Sequence, residues 1–320
     1  MVAPLTLVAA FLVGASLIRF GPRLGMVDLP EGELKPHKGA VVPLGGVAVL
    51  VAVHLGLIAS SGFDRGLFAA SALALVLGMI DDRLGLTPVF RLVVEVGIAS
   101  VLVLTSNAAG FGDGAAATIV AILLVVVAIN AVNLFDGLDG LVSSVSTVSA
   151  LGLSVLAAVD GTDVAFGIIL AAALLGFLIW NWPPAKLFLG DNGSYTVGVF
   201  LAYGMADAAL PASVWSLLTV AGVLGIIVID LVVTLVRRRV TRAPMFAGDR
   251  GHLYDQLHRR GLPVWKLILM MAAVQVVLVS VVVVTAGALE GPAAVVTLAL
   301  VMLAIVAALG RFGFLGGGER

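Results

Sequence analysis

The sequence predicts an all-α, polytopic integral membrane protein with about 11 transmembrane helices. The mean hydropathy is +1.18 over 320 residues, 61% of the residues are hydrophobic and only 12% are charged. Such values lie outside the range of soluble globular proteins. The apolar residues are also gathered into runs near the length of a membrane-spanning helix, about 20 residues. We therefore predict one membrane domain, residues 1–320, and the absence of cysteine excludes disulfides and thiolate chemistry.

Eleven apolar runs are candidate spans, some of them short or interrupted by glycine. In chain order they cover approximately residues 2–20, 44–61, 66–80, 89–105, 115–133, 141–159, 163–180, 194–209, 213–236, 264–287 and 291–310. If the N-terminus lies outside, every Lys and Arg except Arg65 falls on the cytoplasmic side, as the positive-inside rule requires. The C-terminus is then cytoplasmic. The predicted cytoplasmic segments hold most of the polar chemistry: residues 21–43, 81–88, 134–140, 181–193, 237–263 and the tail from Arg311.

Two adjacent carboxylates close the third span. Asp81 and Asp82 stand in "MIDDRLGLTP", and such neighbours repel unless a cation lies between them or one is protonated. The pair indicates a metal site or a base of altered pKa, although an ordinary acidic loop would look the same. Arg91, one turn inside the next span, is placed to reach the interface or to bind a phosphate.

The stretch "NAVNLFDGLDGL", residues 130–141, sets two Asn and two Asp at the end of the fifth span. An Asp at the bilayer centre costs about 3 kcal/mol on an insertion scale, so the stretch needs a partner or a water-filled site. Asn130 and Asn133, and then Asp136 and Asp139, are spaced to share a helix face. A polar clamp between helices would explain the Asn residues but not the Asp residues.

The stretch "NWPPAKLFLGDNGSYTVG" places Asp191 at a turn that leads into the eighth span. There a carboxylate and the N–H groups of a helix start can face a phosphate bound to Mg²⁺. An ordinary loop followed by a turn explains the same residues equally well.

A basic loop follows the ninth span, and it contains His252 beside Arg250. This combination suits a pyrophosphate, although basic juxtamembrane loops commonly only set topology or bind anionic lipids. Asp230 lies inside the ninth span, where an isolated acid is a functional candidate and Arg237 is a potential salt partner.

All of these clusters fall on the same predicted side of the membrane. Carboxylates, Mg²⁺ and basic groups together are what phosphoryl transfer from a nucleoside diphosphate requires. The position at the membrane surface indicates that one substrate is a lipid. An ion-coupled transporter is the competing class, but it would place acids near the midplane rather than at one surface.

The motifs resemble the polyprenyl-phosphate N-acetylhexosamine-1-phosphate transferases, a family that includes the phospho-MurNAc-pentapeptide translocase. "DDRLGL", "NAVNLFDGLDGL" and "FLGDNGS" look like the three acidic signatures of that family, in the same order, and "LKPHKGAVVPLGG" is similar to its first cytoplasmic loop. The resemblance runs from about residue 28 to residue 261. It implies transfer of a sugar 1-phosphate from a UDP-sugar to polyprenyl phosphate, undecaprenyl or decaprenyl, with release of UMP at the cytoplasmic face of the cell (inner) membrane.

By matching positions, the resemblance implies that Asp191 and Asp82 bind Mg²⁺, with Mn²⁺ as an alternative ion. It implies that Asp81 is a base or a lipid-phosphate contact and that His252 completes the catalytic set. The substrate-binding residues it implies are Lys38, Arg91, Asn130, Asn133, Asp136, Asp139, Asn181, Phe188 and Arg250. Membrane lipids are further expected partners, a homodimer is compatible, and no nucleic acid is expected.

One departure from the family pattern bears on the sugar. The family commonly shows His-x-His-His where this chain has "HLYD", so only His252 matches. That loop is expected near the diphosphate and the sugar, which argues against UDP-MurNAc-pentapeptide. We expect a UDP-N-acetylhexosamine such as UDP-GlcNAc, with a modified deoxy amino sugar as the alternative.

Overall fold

A computed structural model describes residues 1–28, 41–209, 212–244, 250–289 and 291–316. Within these ranges the chain forms 13 α-helices, three short 3-10 turns and two isolated β-bridges, but no strand. The predicted all-α class is therefore confirmed.

The helices have the following bounds. They are α1 (Val2–Phe20), α2 (Gly45–Ala59), α3 (Arg65–Leu84), α4 (Pro88–Thr105), α5 (Ala115–Phe135), α6 (Leu141–Val159), α7 (Ala165–Asn181), α8 (Gly190–Asp207), α9 (Val214–Val220), α10 (Gly225–Thr241), α11 (Leu253–Arg259), α12 (Val264–Ala288) and α13 (Pro292–Arg311). Each predicted span overlaps one of these helices, except that the ninth run is divided between α9 and α10. The short helix α11 lies outside the predicted spans.

Not every helix meets the usual requirements for a membrane span. Among the described residues, 7 helical segments are long and apolar enough to cross a bilayer, and α2 and α7 are apolar but shorter. The multi-pass character is thus supported, because many helices also expose large apolar side chains. The count of 11 spans and the orientation stay predictions.

The ninth apolar run is not one continuous α-helix, because a 3-10 turn, Ala221–Leu224, separates α9 from α10. Gly225, at the break, has φ +29°, and a side chain there would meet the amide of Gln275. Gln275 of α12 is fully buried; its Oε1 accepts from the N–H of Ile226 at 2.9 Å and its Nε2 donates to the carbonyl of Val223 at 2.6 Å. Such a break is tolerated inside a membrane protein because a neighbouring helix satisfies the exposed backbone groups.

Helix α8 is the centre of the fold, since it packs against α2, α3, α5 and α6 and is buried from Asn192 to Ala206. Its contact with α3 is especially close: a Cβ on Gly78 would lie only 2.2 Å from the backbone nitrogen of Asn192. The C-terminal end of α3 is thereby pressed against the N-terminal end of α8. This contact brings two of the acidic motifs together.

Candidate active site

Three helix ends meet at the predicted site. The last turn of α3 carries Asp81 and Asp82, and the first turn of α8 carries Asp191. The last turn of α5 carries Asn133, and Asp136 follows directly after it. Side-chain hydrogen bonds connect α8 to both of the other helices. The three acidic motifs, which are distant in sequence, thus form one acidic centre.

Asp82 accepts hydrogen bonds from the N-terminal end of α8. Its Oδ1 accepts a hydrogen bond from the N–H of Asp191 at 3.0 Å. Its Oδ2 accepts from the N–H of Asn192 at 3.3 Å and from the side-chain amide of Asn192 at 2.8 Å. A carboxylate at this position satisfies helix-start donors and is favoured by the helix dipole. Asp82 therefore fixes the first turn of α8 and, with it, the position of Asp191.

Asp81 is held by three donors. Its Oδ1 accepts from the N–H of Leu86 at 2.7 Å, and its Oδ2 accepts from the hydroxyl of Tyr195 at 2.6 Å and from Arg91 at 2.9 Å. Burial alone would raise the pKa of Asp81, but the hydrogen bonds from Tyr195, Arg91 and Leu86 outweigh it and lower that pKa. The arrangement favours the ionised form of Asp81 and supplies donors to both of its oxygens.

Asp191 and Asp136 are in the opposite condition. Asp191 Oδ1 accepts a hydrogen bond from Asn133 at 2.8 Å, whereas the Asp136 carboxylate accepts none from the described residues. Burial, followed by the charges of Asp82 and Asp81, raises the pKa of Asp191 to about 7. Burial, followed by the charges of Asp191 and Asp82, raises the pKa of Asp136 well above its usual value. A cation beside these carboxylates would relieve the repulsion.

The donor set fits Mg²⁺. Within the described residues, no group of three or more His, Asp or Glu side chains is arranged to enclose a metal ion. Mg²⁺ does not need such a cage, because it keeps several waters and binds through one or two carboxylates together with substrate phosphates. Asp191, which accepts only the bond from Asn133 among the described side chains, and Asp136, which accepts none among the described residues, are the side chains that would hold it.

Two of the predicted substrate-binding residues, Asn181 and Asp139, bond to the backbone around the loop between α5 and α6. Asn181 is buried; its Oδ1 accepts from the N–H of Gly140 at 2.9 Å and its Nδ2 donates to the carbonyl of Leu187 at 3.0 Å. Asp139 accepts a hydrogen bond from the N–H of Ala185 at 2.9 Å. Both side chains therefore act on the backbone that surrounds the acidic centre.

The remaining predicted residues lie around this centre or outside the described ranges. Phe188 is half-buried beside the entry to α2, where its carbonyl accepts from the N–H of Gly45 at 2.9 Å. His252 directly precedes α11 as its N-cap residue, and Arg250, two residues before it, is exposed. Lys38 lies outside the described residues.

The acidic centre lies in the part of the chain that matches a known protein family. A family model described as Glycosyl transferase family 4 matches residues 65–209, which contain all three acidic motifs. Decaprenyl-phosphate N-acetylglucosaminephosphotransferase of Mycobacterium tuberculosis is 30% identical over 286 residues, covering 75% of this chain and 70% of the relative. The chain belongs to this glycosyl transferase family. The family assignment made from the motifs is thus confirmed, and the protein is an enzyme of the phosphotransferase class.

Two further relatives of the transferase differ in how much they share with it. Undecaprenyl-phosphate alpha-N-acetylglucosaminyl 1-phosphate transferase of Thermotoga maritima is 28% identical over 268 residues, or 83% of this chain and 84% of the relative. Phospho-N-acetylmuramoyl-pentapeptide-transferase of Microcystis aeruginosa is 32% identical, but over only 101 residues, or 31% of this chain and 28% of the relative.

Two residues of the transferase site were missed by sequence reasoning. Tyr195, which bonds to Asp81, follows the third acidic motif on the inner face of α8. Glu95 of α4 is buried and accepts a hydrogen bond from Asn130, so Asn130 joins α4 to α5 while Asn133 reaches α8. A signal for Glu95 was present, because an acid inside an apolar span needs a partner.

Proposed function

We propose that the protein transfers an N-acetylhexosamine 1-phosphate, with GlcNAc 1-phosphate as the first choice, from a UDP-sugar to polyprenyl phosphate in a Mg²⁺-dependent reaction. A phosphate oxygen of the lipid attacks the phosphorus that carries the sugar. The bond from that phosphorus to the oxygen of UMP breaks, and UMP leaves with the electron pair. The product is a lipid-linked sugar diphosphate, the starting point of a cell-envelope glycan.

The observation that carries the proposal is the convergence of Asp81, Asp82, Asp136 and Asp191 at three helix ends. In this proposal Asp191 and Asp136 supply oxygens to Mg²⁺, and Asp82 holds Asp191 in place while its remaining lone pairs can approach the ion. Bound Mg²⁺ supplies neutralisation of the phosphate charge. Arg91, fixed by Asp81 at 2.9 Å, offers a guanidinium to a phosphate oxygen.

Asp81 is not needed as a base in the proposed reaction, and its oxygens already accept hydrogen bonds from Leu86, Arg91 and Tyr195. A phosphate monoester has a second pKa near 6 and is largely ionised at neutral pH, so the lipid substrate arrives as a nucleophile. Asp81 then acts by orienting Arg91, and the reaction needs placement of two anionic substrates more than proton removal.

Two observations support the choice of sugar. Those that match most of the chain carry N-acetylglucosamine in their names, whereas the N-acetylmuramoyl-pentapeptide enzyme matches a third of it or less. The "HLYD" sequence also departs from the family pattern at the loop expected near the sugar. UDP-MurNAc-pentapeptide and a modified deoxy amino sugar are the competing donors.

An assay of the purified protein in lipid nanodiscs tests the proposal. The mixture contains Mg²⁺, undecaprenyl phosphate and one UDP-sugar at a time: UDP-GlcNAc, UDP-GalNAc, UDP-MurNAc-pentapeptide or a UDP-linked deoxy amino sugar. We expect UMP and a lipid-linked sugar diphosphate in equal amounts with UDP-GlcNAc. Absence of UMP release with every donor would refute the proposed reaction, and turnover with another donor alone would correct the sugar.

We further propose that the acidic centre faces the cytoplasm from the inner membrane. Since the chain has no cysteine, single cysteines can be introduced at two exposed sites, Arg83→Cys beside the acidic centre and Asp160→Cys at the far end of α6. A membrane-impermeant thiol reagent applied to intact cells should label Asp160→Cys and spare Arg83→Cys. The reverse pattern would place the site outside.

A further inference from the structure

A buried pair links α10 to the start of α11. Asp230 of α10 has no exposed surface, and its Oδ2 lies 2.7 Å from Nδ1 of His252. Its other oxygen accepts a hydrogen bond from the N–H of Leu253 at 2.6 Å. Thr234, one turn further along α10, places its hydroxyl 3.2 Å from the same ring nitrogen. The partner of Asp230 is therefore His252 and not Arg237, as the spacing along the helix had suggested.

This geometry determines which nitrogen of the ring carries a proton. The carboxylate of Asp230 can only accept, so the contact at 2.7 Å requires a proton on Nδ1 of His252. Nε2 lies across the ring and has no hydrogen-bond partner among the described residues. Nε2 also retains some solvent-accessible surface. Nε2 is thus left for a ligand.

The ring of His252 is tied to the acidic centre through Tyr254. The two rings stack in parallel, with centroids 5.2 Å apart and an angle of 8° between planes. The hydroxyl of Tyr254 donates to the carbonyl of Leu134 at 3.0 Å, and its ring meets that of Phe135 edge-on at 5.7 Å. Leu134 and Phe135 are the last residues of α5, directly before Asp136. His252 is therefore packed onto the segment that presents Asp136.

We propose that Asp230 is a positioning residue for the transfer reaction, holding His252 with Nδ1 protonated and Nε2 presented to the diphosphate sugar of the donor. The proposal rests on the proposed function. A carboxylate that holds one ring nitrogen sets both the orientation of the imidazole and the location of its proton. Asp230 itself does not touch the substrate.

Asp230→Asn separates positioning from packing. The N–H of Leu253 is a fixed donor, so the asparagine oxygen must take the place of Oδ1 and the amide nitrogen must face His252. The amide nitrogen can only donate, which forces Nδ1 of His252 to become an acceptor without a proton. The substitution is nearly isosteric and should invert the ring's proton location while the fold persists.

Asp64→Asn is the matched control. Asp64 is also buried, and its two oxygens accept from the N–H groups of Leu67 at 2.8 Å and Asn107 at 2.6 Å. It lies at the opposite end of α3 from the acidic centre. Asp64→Asn therefore introduces the same chemical change into a comparable buried carboxylate that does not touch His252.

Two measurements on the full chain in nanodiscs test the proposal. Nitrogen-15 NMR of histidine-labelled protein, with the His252 signals identified by their loss in His252→Gln, should show a protonated Nδ1 in the unsubstituted protein and in Asp64→Asn, but not in Asp230→Asn. Steady-state assays should show kcat lowered by about 10- to 100-fold in Asp230→Asn, with KM changed by less than about twofold. Asp64→Asn should retain kcat.

Several results would overturn the proposal. One is a wild-type kcat in Asp230→Asn despite an unprotonated Nδ1, and another is an Nδ1 that keeps its proton in that variant. An equal loss of kcat in Asp64→Asn would show a general effect of burial. Absence of transfer by the unsubstituted protein would instead refute the proposed function, and the NMR result would still decide whether Asp230 determines the proton location.

Discussion

The carboxylates near the two ends of α3 differ in how many hydrogen bonds the protein supplies to them. At the first end, Asp64 is buried and both oxygens accept backbone hydrogen bonds. At the C-terminal end, Asp81 and Asp82 also accept several hydrogen bonds, but they stand beside Asp191, which accepts one from Asn133, and Asp136, which accepts none from the described residues. A carboxylate with its donors supplied by the protein stabilises the fold, whereas a carboxylate that lacks them is available to a ligand.

The largest effect that tests this comparison is expected from Asp191→Asn. The amide cannot neutralise a cation, so UMP release should fall on the order of 1000-fold, as for loss of a group that stabilises developing charge. The thermal midpoint of unfolding should not fall, because repulsion with Asp82 and Asp81 is removed. Asp64→Asn should show the reverse, with full turnover and a lower midpoint. Equal changes of turnover and of thermal midpoint in the two variants would show that the carboxylates at the two ends of α3 do not differ in role.

Asp136→Asn should lower turnover by about 100-fold. Its carboxylate accepts no hydrogen bond from the described residues, and its raised pKa shows that the charged form is disfavoured in the folded protein. Removal of that charge should therefore leave the thermal midpoint unchanged or raise it at neutral pH. A clear drop of the midpoint, measured in detergent without substrate, would show that Asp136 supports the fold instead.

Mg²⁺ should stabilise the protein measurably. Binding at about 100 times the dissociation constant adds about 2.7 kcal/mol to the free energy of unfolding. We expect the thermal midpoint to rise with Mg²⁺ in the presence of UMP and to return after chelation. Neither Asp191→Asn nor Asp136→Asn should show the full rise. A rise that is undiminished in both variants would locate the ion away from the acidic centre.

Tyr195→Phe should have the smallest effect. It removes one of three donors to Asp81 and leaves those from Arg91 and Leu86. The expected loss of stability is about 1 kcal/mol, and turnover should fall less than about tenfold. The measurement is the thermal midpoint together with kcat. A loss as large as that in Asp191→Asn would mean that Tyr195 takes part in the reaction directly.

The helices could be predicted from sequence because apolar runs near the length of a bilayer crossing are visible along the chain. That the acidic motifs form one site could be predicted for two reasons. They resemble the signatures of one family, and the distribution of Lys and Arg among the loops puts them on the same side of the membrane. What could not be predicted depends on partners in other helices. Glu95 looked like part of an apolar span, and its partner Asn130 lies on α5.

The same limitation affected two assignments within the site. Spacing along α10 suggested Arg237 for Asp230, while the bonded partner His252 comes from the next segment. The assignment of Asp82 as a metal ligand stays a prediction, but nothing in its neighbours along the chain indicates that it also accepts hydrogen bonds from the first turn of α8, a helix more than 100 residues away. Hydrogen-bond directions across helices follow from packing, which a single sequence does not display.

Gln275 connects the break between α9 and α10 to the position of Asp230 and His252. Because its amide holds both sides of the break, the starting point of α10 is set by α12. Asp230 lies 5 residues beyond Gly225, or roughly 7.5 Å along the helix axis. The position of His252 therefore depends on a glutamine of a different helix. If His252 faces the donor as proposed, a change at Gln275 alters the reaction through α10 without contact with the substrate.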